Sequence, residues 1–225
     1  QNPKGIVITL PDAAALGKSV KAAIAAGIPV ISMNSGSDDY ASLGISVHVG
    51  QTEFEAGVGG GQKMKAAGGK KALCVNHEVG NVALDRRCAG FKKGFGGSVD
   101  IIGTSNDPTE IQKAVAAKLG AGYDTILTLG ASLAGEPALA AIEAAGKLGK
   151  VRLGTFDMSP NMLKAAAAGK VEFLIDQQQY LQGYLPIVIF AQYMRWGTMP
   201  AGVVMTGPGF VTPDNASSVI KWAAQ

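Results

Sequence analysis

The chain has 225 residues, of which 47% are hydrophobic, 16% charged and 6% aromatic, and its formal net charge is +3. This composition is too apolar and too weakly charged for a disordered chain, and the basic residues are scattered, which argues against nucleic-acid binding. The sequence contains no run of about 18 apolar residues, so we expect no direct membrane insertion. These features predict a compact protein with a well-filled core.

Short apolar segments alternate with helical segments along the chain. The predicted strands cover residues 5–10, 28–33, 45–49, 71–75, 100–103, 125–129, 151–156 and 171–175. The predicted helices cover residues 13–26, 52–67, 81–95, 107–120, 136–145, 160–168 and 180–196. This alternation indicates an α/β fold built from βαβ units with parallel sheets covered by helices on both faces. A TIM barrel is an alternative, although 225 residues is short for one.

Polar side chains follow most of the predicted strands, where parallel α/β folds bind their ligands. They include Asn34-Ser35, His77-Glu78, Asp157 and Gln177, with Arg87 one turn into a predicted helix. Taken singly, an Asn, Asp or Ser at such a junction is typical of a helix N-cap. As a set they favour a polyol ligand, because planar amide, carboxylate and guanidinium groups bind two adjacent hydroxyls at once.

Motifs that would indicate an enzyme or a cofactor are incomplete. The glycine-rich segment from Gly57 to Gly61 continues into Gln62, so it matches neither a phosphate-binding loop nor a dinucleotide fingerprint. It predicts instead a helix weakened by glycine, which close packing against a neighbour would offset. Ser132 lacks the second glycine of a nucleophile elbow, and His48 and His77 are in the wrong chain order for a hydrolase triad. We therefore expect no catalytic residue and no cofactor.

Two cysteines, Cys74 and Cys88, are 14 residues apart. They would form a disulfide in an oxidising compartment, and two buried thiols are an equal alternative. Their spacing fits no metal motif, and His77 lacks a clear second ligand, so we expect no metal site.

Three segments together resemble a known family. The segments are GIPVISMNSG at 27–36, NVALDRRCAGF at 81–91 and DQQQYLQGY at 176–184. In this order and spacing they resemble the ribose-type (type I) periplasmic sugar-binding proteins of bacterial ABC importers. The resemblance extends from residue 5 to about residue 216.

The resemblance implies two Rossmann-like lobes joined by three crossovers, with the ligand enclosed between them by hinge closure. It places a partial N-terminal lobe at 1–49, a C-terminal lobe at 50–176, a return to the N-terminal lobe at 177–205, and a crossover with a C-terminal tail at 206–225. The family begins with two further strands and helices that have no counterpart here, so we expect the N-terminal lobe to be incomplete.

The resemblance also implies site residues. Arg87, Asp157 and Gln177 match the family in type, whereas Asn34-Ser35 replace an Asp-Arg pair, and Gly130 replaces an asparagine. Residues 106–109 lack the family's aromatic, and fewer aromatic rings favour a small sugar, polyol or furanose. The full set of predicted ligand-binding residues is Asn34, Ser35, His77, Asn81, Arg87, Ser132, Asp157, Gln177 and Tyr180.

The implied function is that of a monomeric, non-enzymatic receptor for a small carbohydrate or polyol. Its partner would be the membrane permease of an ABC importer, and its location would be the periplasm, or the cell exterior as a tethered lipoprotein. An alternative with the same fold is the ligand-sensing core of a lactose-repressor-type regulator.

Overall fold

The computed structural model describes residues 1–223. The strands are β1 (Ile6–Ile8), β2 (Val30–Asn34), β3 (Val47–Gly50), β4 (Lys71–Asn76), β5 (Ser98–Gly103), β6 (Thr125–Thr128), β7 (Arg152–Phe156), β8 (Phe173–Asp176), β9 (Gly202–Met205) and β10 (Gly209–Val211). The helices are α1 (Ala13–Ala25), α2 (Glu53–Ala66), α3 (Val82–Phe95), α4 (Pro108–Leu119), α5 (Glu136–Ala144), α6 (Pro160–Ala167), α7 (Gln179–Trp196) and α8 (Pro213–Ala223). A short 3₁₀ helix spans Tyr40–Leu43, and a π-helical turn spans Ala131–Gly135.

The strands form two open sheets, which confirms the α/β prediction and excludes the TIM barrel. One sheet has the order β1-β2-β3-β9 and is parallel throughout. The other has the order β10-β8-β7-β6-β4-β5, in which β10 is antiparallel to β8 and the other pairs are parallel. The strands β9 and β10 and the helix α8 were not predicted: β9 ends the segment 177–205 given as the return to the N-terminal lobe, and β10 and α8 lie in the segment 206–225 given as a crossover and C-terminal tail. Residues 224–225 lie outside the described residues.

The chain divides into two compact units. Unit 1 comprises 1–52, 80–83 and 177–208, and unit 2 comprises 53–79, 84–176 and the chain from 209 onward. In unit 1, successive residues of β2 pack into different clusters: Val30 packs with residues of α1, and Ile31 packs with Phe190 of α7. This alternation places the two helices on opposite faces of the sheet.

The core of unit 2 is built from its central strands and the helices around them. Leu73 of β4, Ile126 of β6 and Leu153 of β7 are fully buried within one apolar cluster. The edge strand β5 departs from the predicted pattern of burial on both faces, because Ile101 is 51% exposed. An edge strand lacks a neighbour on one side, so less of it is covered.

Two further features fix α3 in unit 2. A disulfide joins Cys74 of β4 to Cys88 of α3, so the disulfide alternative is the correct one. The glycine-rich segment forms the helix α2, as predicted, and this helix packs closely on α3. The glycines at this contact are Gly57, Gly61, Gly90 and Gly94.

Within the described residues, no helix has the length and apolar character needed to cross a bilayer.

Candidate functional site

The carboxyl ends of β4, β6 and β7 bring three predicted positions of unit 2 together. His77 directly follows β4, Gly130 follows β6, and Asp157 follows β7. A Cβ atom at residue 130 would lie 3.2 Å from Cε1 of His77 and 3.9 Å from Oδ2 of Asp157. The absence of a side chain at Gly130 therefore leaves the space that the His77 imidazole occupies.

Arg87 of α3 is held from three directions. Its Nε donates to Oε2 of Glu53 at 2.5 Å, its Nη2 donates to Oε1 of Glu53 at 3.2 Å, and its Nη1 donates to the Leu129 carbonyl at 3.2 Å. The guanidinium carbon lies 4.4 Å from the centre of the Phe156 ring, in a cation–π contact. Arg87 is 3% exposed and Glu53 4% exposed, so this is a buried and rigidly oriented ion pair.

The electrostatics of this cluster follow from burial and from nearby carboxylates. Burial lowers the pKa of Arg87, but Glu53, together with Asp157 and Glu78, more than offsets this, and the net pKa is raised. Burial lowers the pKa of His77, and Arg87 lowers it further, while Glu78 and Asp157 act in the opposite direction. Arg87 is thus a cation and His77 a neutral imidazole at pH 7.

His77 is 8% exposed, and its Nδ1 has no hydrogen-bond partner among the described residues. Its loop is fixed by Asn76, whose Nδ2 donates to Oδ1 of Asp85 at 2.8 Å and whose Oδ1 accepts the Glu78 N–H at 3.0 Å. A buried polar atom without a partner is costly, so Nδ1 suits a hydrogen bond with a ligand.

In unit 1, Asn34 lies at the centre of an amide network. Its Nδ2 donates to Oε1 of Gln177 at 3.1 Å and to Oε1 of Gln182 at 3.0 Å, and its Oδ1 accepts the Ser35 hydroxyl at 3.2 Å. Gln182 in turn donates to the Gln177 carbonyl at 3.0 Å and to the Thr206 hydroxyl at 3.1 Å. These bonds hold the start of α7 and the end of β9 against the end of β2.

Comparisons with known proteins match this architecture. A family model described as "Periplasmic binding protein domain" matches residues 1–198. The chain belongs to the periplasmic binding protein family. A carbohydrate transporter from Acidothermus cellulolyticus 11B, solved in complex with myo-inositol, is 33% identical with a TM-score of 0.93, and the match covers 99% of this chain and 78% of that one.

Two further relatives share a lower sequence identity with this periplasmic binding protein. A periplasmic sugar-binding protein from Legionella pneumophila is 26% identical with a TM-score of 0.82, over 91% of this chain and 78% of that one. A xylose/arabinose-binding protein from Sulfolobus acidocaldarius is 24% identical over 96% of this chain. The chain spans 58% of the length of that curated relative.

The remaining predicted site residues are Tyr180, Ser132 and Asn81. Tyr180 is 79% exposed, and its ring stacks on Tyr184 with the ring centres 5.9 Å apart. Ser132 is exposed on the π-helical turn. Asn81, in unit 1, accepts the Ala83 N–H at 3.0 Å through its Oδ1, which is a helix-capping bond at the start of α3.

Two residues of these clusters, Glu53 and Gln182, were not predicted from the sequence. Glu53 is 34 residues from Arg87 in sequence, at the start of a helix whose notable feature was glycine, so no local pattern pairs them. Gln182 lies five residues after Gln177 in the quoted segment 176–184, so its place in that segment could have indicated that it belongs to the same cluster.

Within residues 1–223, no group of three His, Cys, Asp or Glu side chains is placed to hold a metal ion.

Proposed function

We propose that this chain is part of a solute receptor that binds a small monosaccharide or polyol and delivers it to the permease of an ABC importer. The observation that carries this proposal is the buried Arg87, oriented by Glu53 beside Asp157 and His77 at the ends of parallel strands. The receptor acts in the periplasm or, as a tethered lipoprotein, outside the cell.

The chemistry of the cluster suits vicinal hydroxyls. A carboxylate accepts two hydroxyl protons and a guanidinium donates to two hydroxyl oxygens, so Asp157 and Arg87 bind adjacent hydroxyls from complementary sides. His77 adds a neutral ring nitrogen that donates or accepts according to its tautomer. Among the residues of unit 1, Asn34 acts by orienting Gln177, because its own amide already bonds to protein groups.

The relatives support a cyclic polyol or a monosaccharide as the ligand class. The Acidothermus protein was solved with myo-inositol, and the Sulfolobus relative is named for xylose and arabinose. A Cβ atom at residue 130 would lie within 4 Å of both His77 and Asp157, so the missing side chain of Gly130 leaves room for a ligand beside these two groups.

The receptor is favoured over the lactose-repressor-type regulator and over an enzyme. The Acidothermus and Legionella structures are described as a carbohydrate transporter and an ABC sugar transporter, and neither is described as a regulator or an enzyme. The Cys74–Cys88 disulfide also supports an oxidising compartment, where transport receptors act and cytoplasmic regulators do not.

Calorimetric titration of the protein in its natural length tests the proposal, with myo-inositol, D-ribose, D-xylose, D-arabinose and D-allose as probes. We expect at least one probe to bind without being chemically altered. Asp157→Asn should weaken that binding by roughly 10- to 100-fold, because a hydrogen bond to a charged group contributes about 1.5–3 kcal/mol. Arg86→Ala, on the exposed side of α3, is the matched control and should bind as the wild type does. If no probe binds, or if a probe is converted to a product, the proposal is wrong.

A further inference from the structure

Thr206 directly follows β9, and hydrogen bonds from several chain segments converge on it. The residue is 2% exposed. Its backbone N–H donates to the Gly50 carbonyl at 2.8 Å, and its hydroxyl donates to the Gln177 carbonyl at 2.7 Å. Its own carbonyl accepts a bond from Nε2 of Gln178 at 2.7 Å, and its hydroxyl oxygen accepts one from Nε2 of Gln182 at 3.1 Å. The N–H, carbonyl and hydroxyl groups of Thr206 are therefore all bonded within unit 1.

Three of these residues lie where the chain passes between the two units. The first stretch of unit 1 ends at residue 52, another begins at residue 177, and that stretch ends at residue 208. Gly50, Gln177 and Thr206 each lie within two residues of one of these boundaries. The crossover segments of unit 1 are therefore 47–52, 177–185 and 203–208.

The Thr206 hydroxyl connects the segment 177–185 to the other two crossover segments. Backbone pairing between β3 and β9 already joins 47–52 to 203–208. The start of α7 joins this strand pair through side-chain bonds, and the Thr206 hydroxyl takes part in two of them. A buried hydroxyl that donates one bond and accepts another cannot be replaced by an apolar group without leaving its partners unsatisfied. Loss of this hydroxyl should therefore loosen the attachment of α7 to the strand pair.

We propose that Thr206 is a positioning residue that holds Gln177 and the start of α7 on the β3–β9 pair, so that the three crossover segments move as one hinge when a ligand binds. Ordering mobile segments on binding costs affinity, and segments that are already held together avoid that cost. Thr206 thus favours binding without contacting the ligand. Because a hinge serves a receptor that closes on its ligand, this proposal rests on the proposed function. A purely structural role would stabilise unit 1 and leave ligand affinity unchanged.

Thr206→Val keeps the shape of the side chain and removes its hydroxyl. Calorimetry with the tightest-binding of the five probes named above should show its Kd raised by about 5- to 10-fold, because the ligand must then order the loosened segments. Thr206→Ser keeps the hydroxyl and should bind within about twofold of the wild type. Thr125→Val is the matched control, since it removes a buried hydroxyl of unit 2 that donates to Oδ1 of Asp124 at 2.9 Å. It should lower stability and leave the Kd unchanged.

Amide hydrogen exchange of the protein without ligand measures whether the crossover segments are joined. In Thr206→Val, exchange should accelerate by about 10-fold or more in 177–185 as well as in 203–208, because the lost hydroxyl bonds connect these two segments. In Thr206→Ser and in Thr125→Val, both segments should exchange at the wild-type rate.

Exchange in the wild type alone covers the case in which Thr206→Val fails to fold. The amides of the three crossover segments should lose protection together as low concentrations of urea are added, with one common opening free energy. Separate openings of 177–185 and 203–208 overturn the proposal.

Two results on folded variants also overturn it. One is a Kd of Thr206→Val within about twofold of the wild type, or a Kd of Thr206→Ser raised as much as that of Thr206→Val. The other is faster exchange in Thr206→Val that is confined to 203–208. If no probe binds the wild type, the proposed function is wrong and the role of Thr206 in binding fails with it, whereas the exchange experiments still decide whether Thr206 joins the crossover segments.

Discussion

The backbone of Gly57 in α2 lies directly against the carbonyl group of Arg87 in α3: a Cβ atom at residue 57 would stand 2.2 Å from that carbonyl oxygen. The contact is reciprocal, because a Cβ atom on Gly90 of α3 would stand 2.0 Å from the Phe54 carbonyl oxygen. Glu53 precedes Phe54, so the close approach of these two backbones also brings the Glu53 carboxylate to the Arg87 guanidinium. The glycines of this contact thus position the charged pair of the candidate site.

We expect Gly90→Ala to lower the free energy of unfolding by about 1–3 kcal/mol, because backbone atoms of α2 cannot move aside as a flexible side chain would. Gly183→Ala is the matched control: residue 183 is exposed in the second turn of α7, and a Cβ atom there would contact nothing within 4 Å. It should raise stability by about 0.5–1 kcal/mol, as alanine favours a helix. Thermal and urea unfolding measure both changes, and equal effects of the two substitutions would contradict the role assigned to the contact.

Much of this fold could be predicted from the sequence because its signals are local. The apolar run at β4 and the Asp-Pro start of α4 define their elements without help from the rest of the chain. β9 and β10 could not be predicted in this way, since they form by pairing with β3 and β8, which are distant in sequence. The pairing of Glu53 with Arg87 likewise depends on how two helices pack, and no local pattern encodes it.

The disulfide between Cys74 and Cys88 should stabilise unit 2 by fixing α3 to β4. Closing a loop of this length restricts the unfolded chain and contributes about 3 kcal/mol. Reduction of the wild type should therefore lower its melting temperature. The Cys74→Ala/Cys88→Ala double variant should melt at that lower temperature, and reductant should not change it further. A reductant-induced fall of similar size in the double variant would show that the disulfide is not the cause.

Asn34 combines a strained backbone with a fully used side chain. Its φ angle of 61° lies in the left-handed region, which glycine adopts without a steric penalty and alanine does not. Asn34→Ala loses the bonds to Gln177 and Gln182 and keeps the strain, whereas Asn34→Gly loses the same bonds and relieves the strain. We expect Asn34→Ala to be less stable than Asn34→Gly by about 1 kcal/mol, and both to be less stable than the wild type. Urea unfolding measures the difference, and equal stability of the two variants would mean that the backbone at residue 34 is not strained.

The stability of unit 1 should depend on pH through His48. This side chain is fully buried, with Nδ1 2.9 Å from the Ser32 hydroxyl. Burial lowers its pKa to about 4, against smaller opposing effects of the Asn34 carbonyl and Asp38. The unfolded chain, with a histidine pKa near 6.5, therefore takes up a proton between pH 6.5 and pH 4 that the folded protein excludes. Folding stability should fall as the pH is lowered through this window, by up to about 3 kcal/mol.

Urea unfolding at intervals from pH 7.5 to pH 4 checks this expectation, with His48→Gln as the comparison. The variant cannot take up the proton, so its stability should change less steeply across the same window, even if it is less stable at pH 7.5. His77 also has a lowered pKa and contributes a slope of the same sign, which the variant retains. If His48→Gln loses stability as steeply as the wild type does, the neutral, buried state of His48 is not what makes the folded protein acid-sensitive.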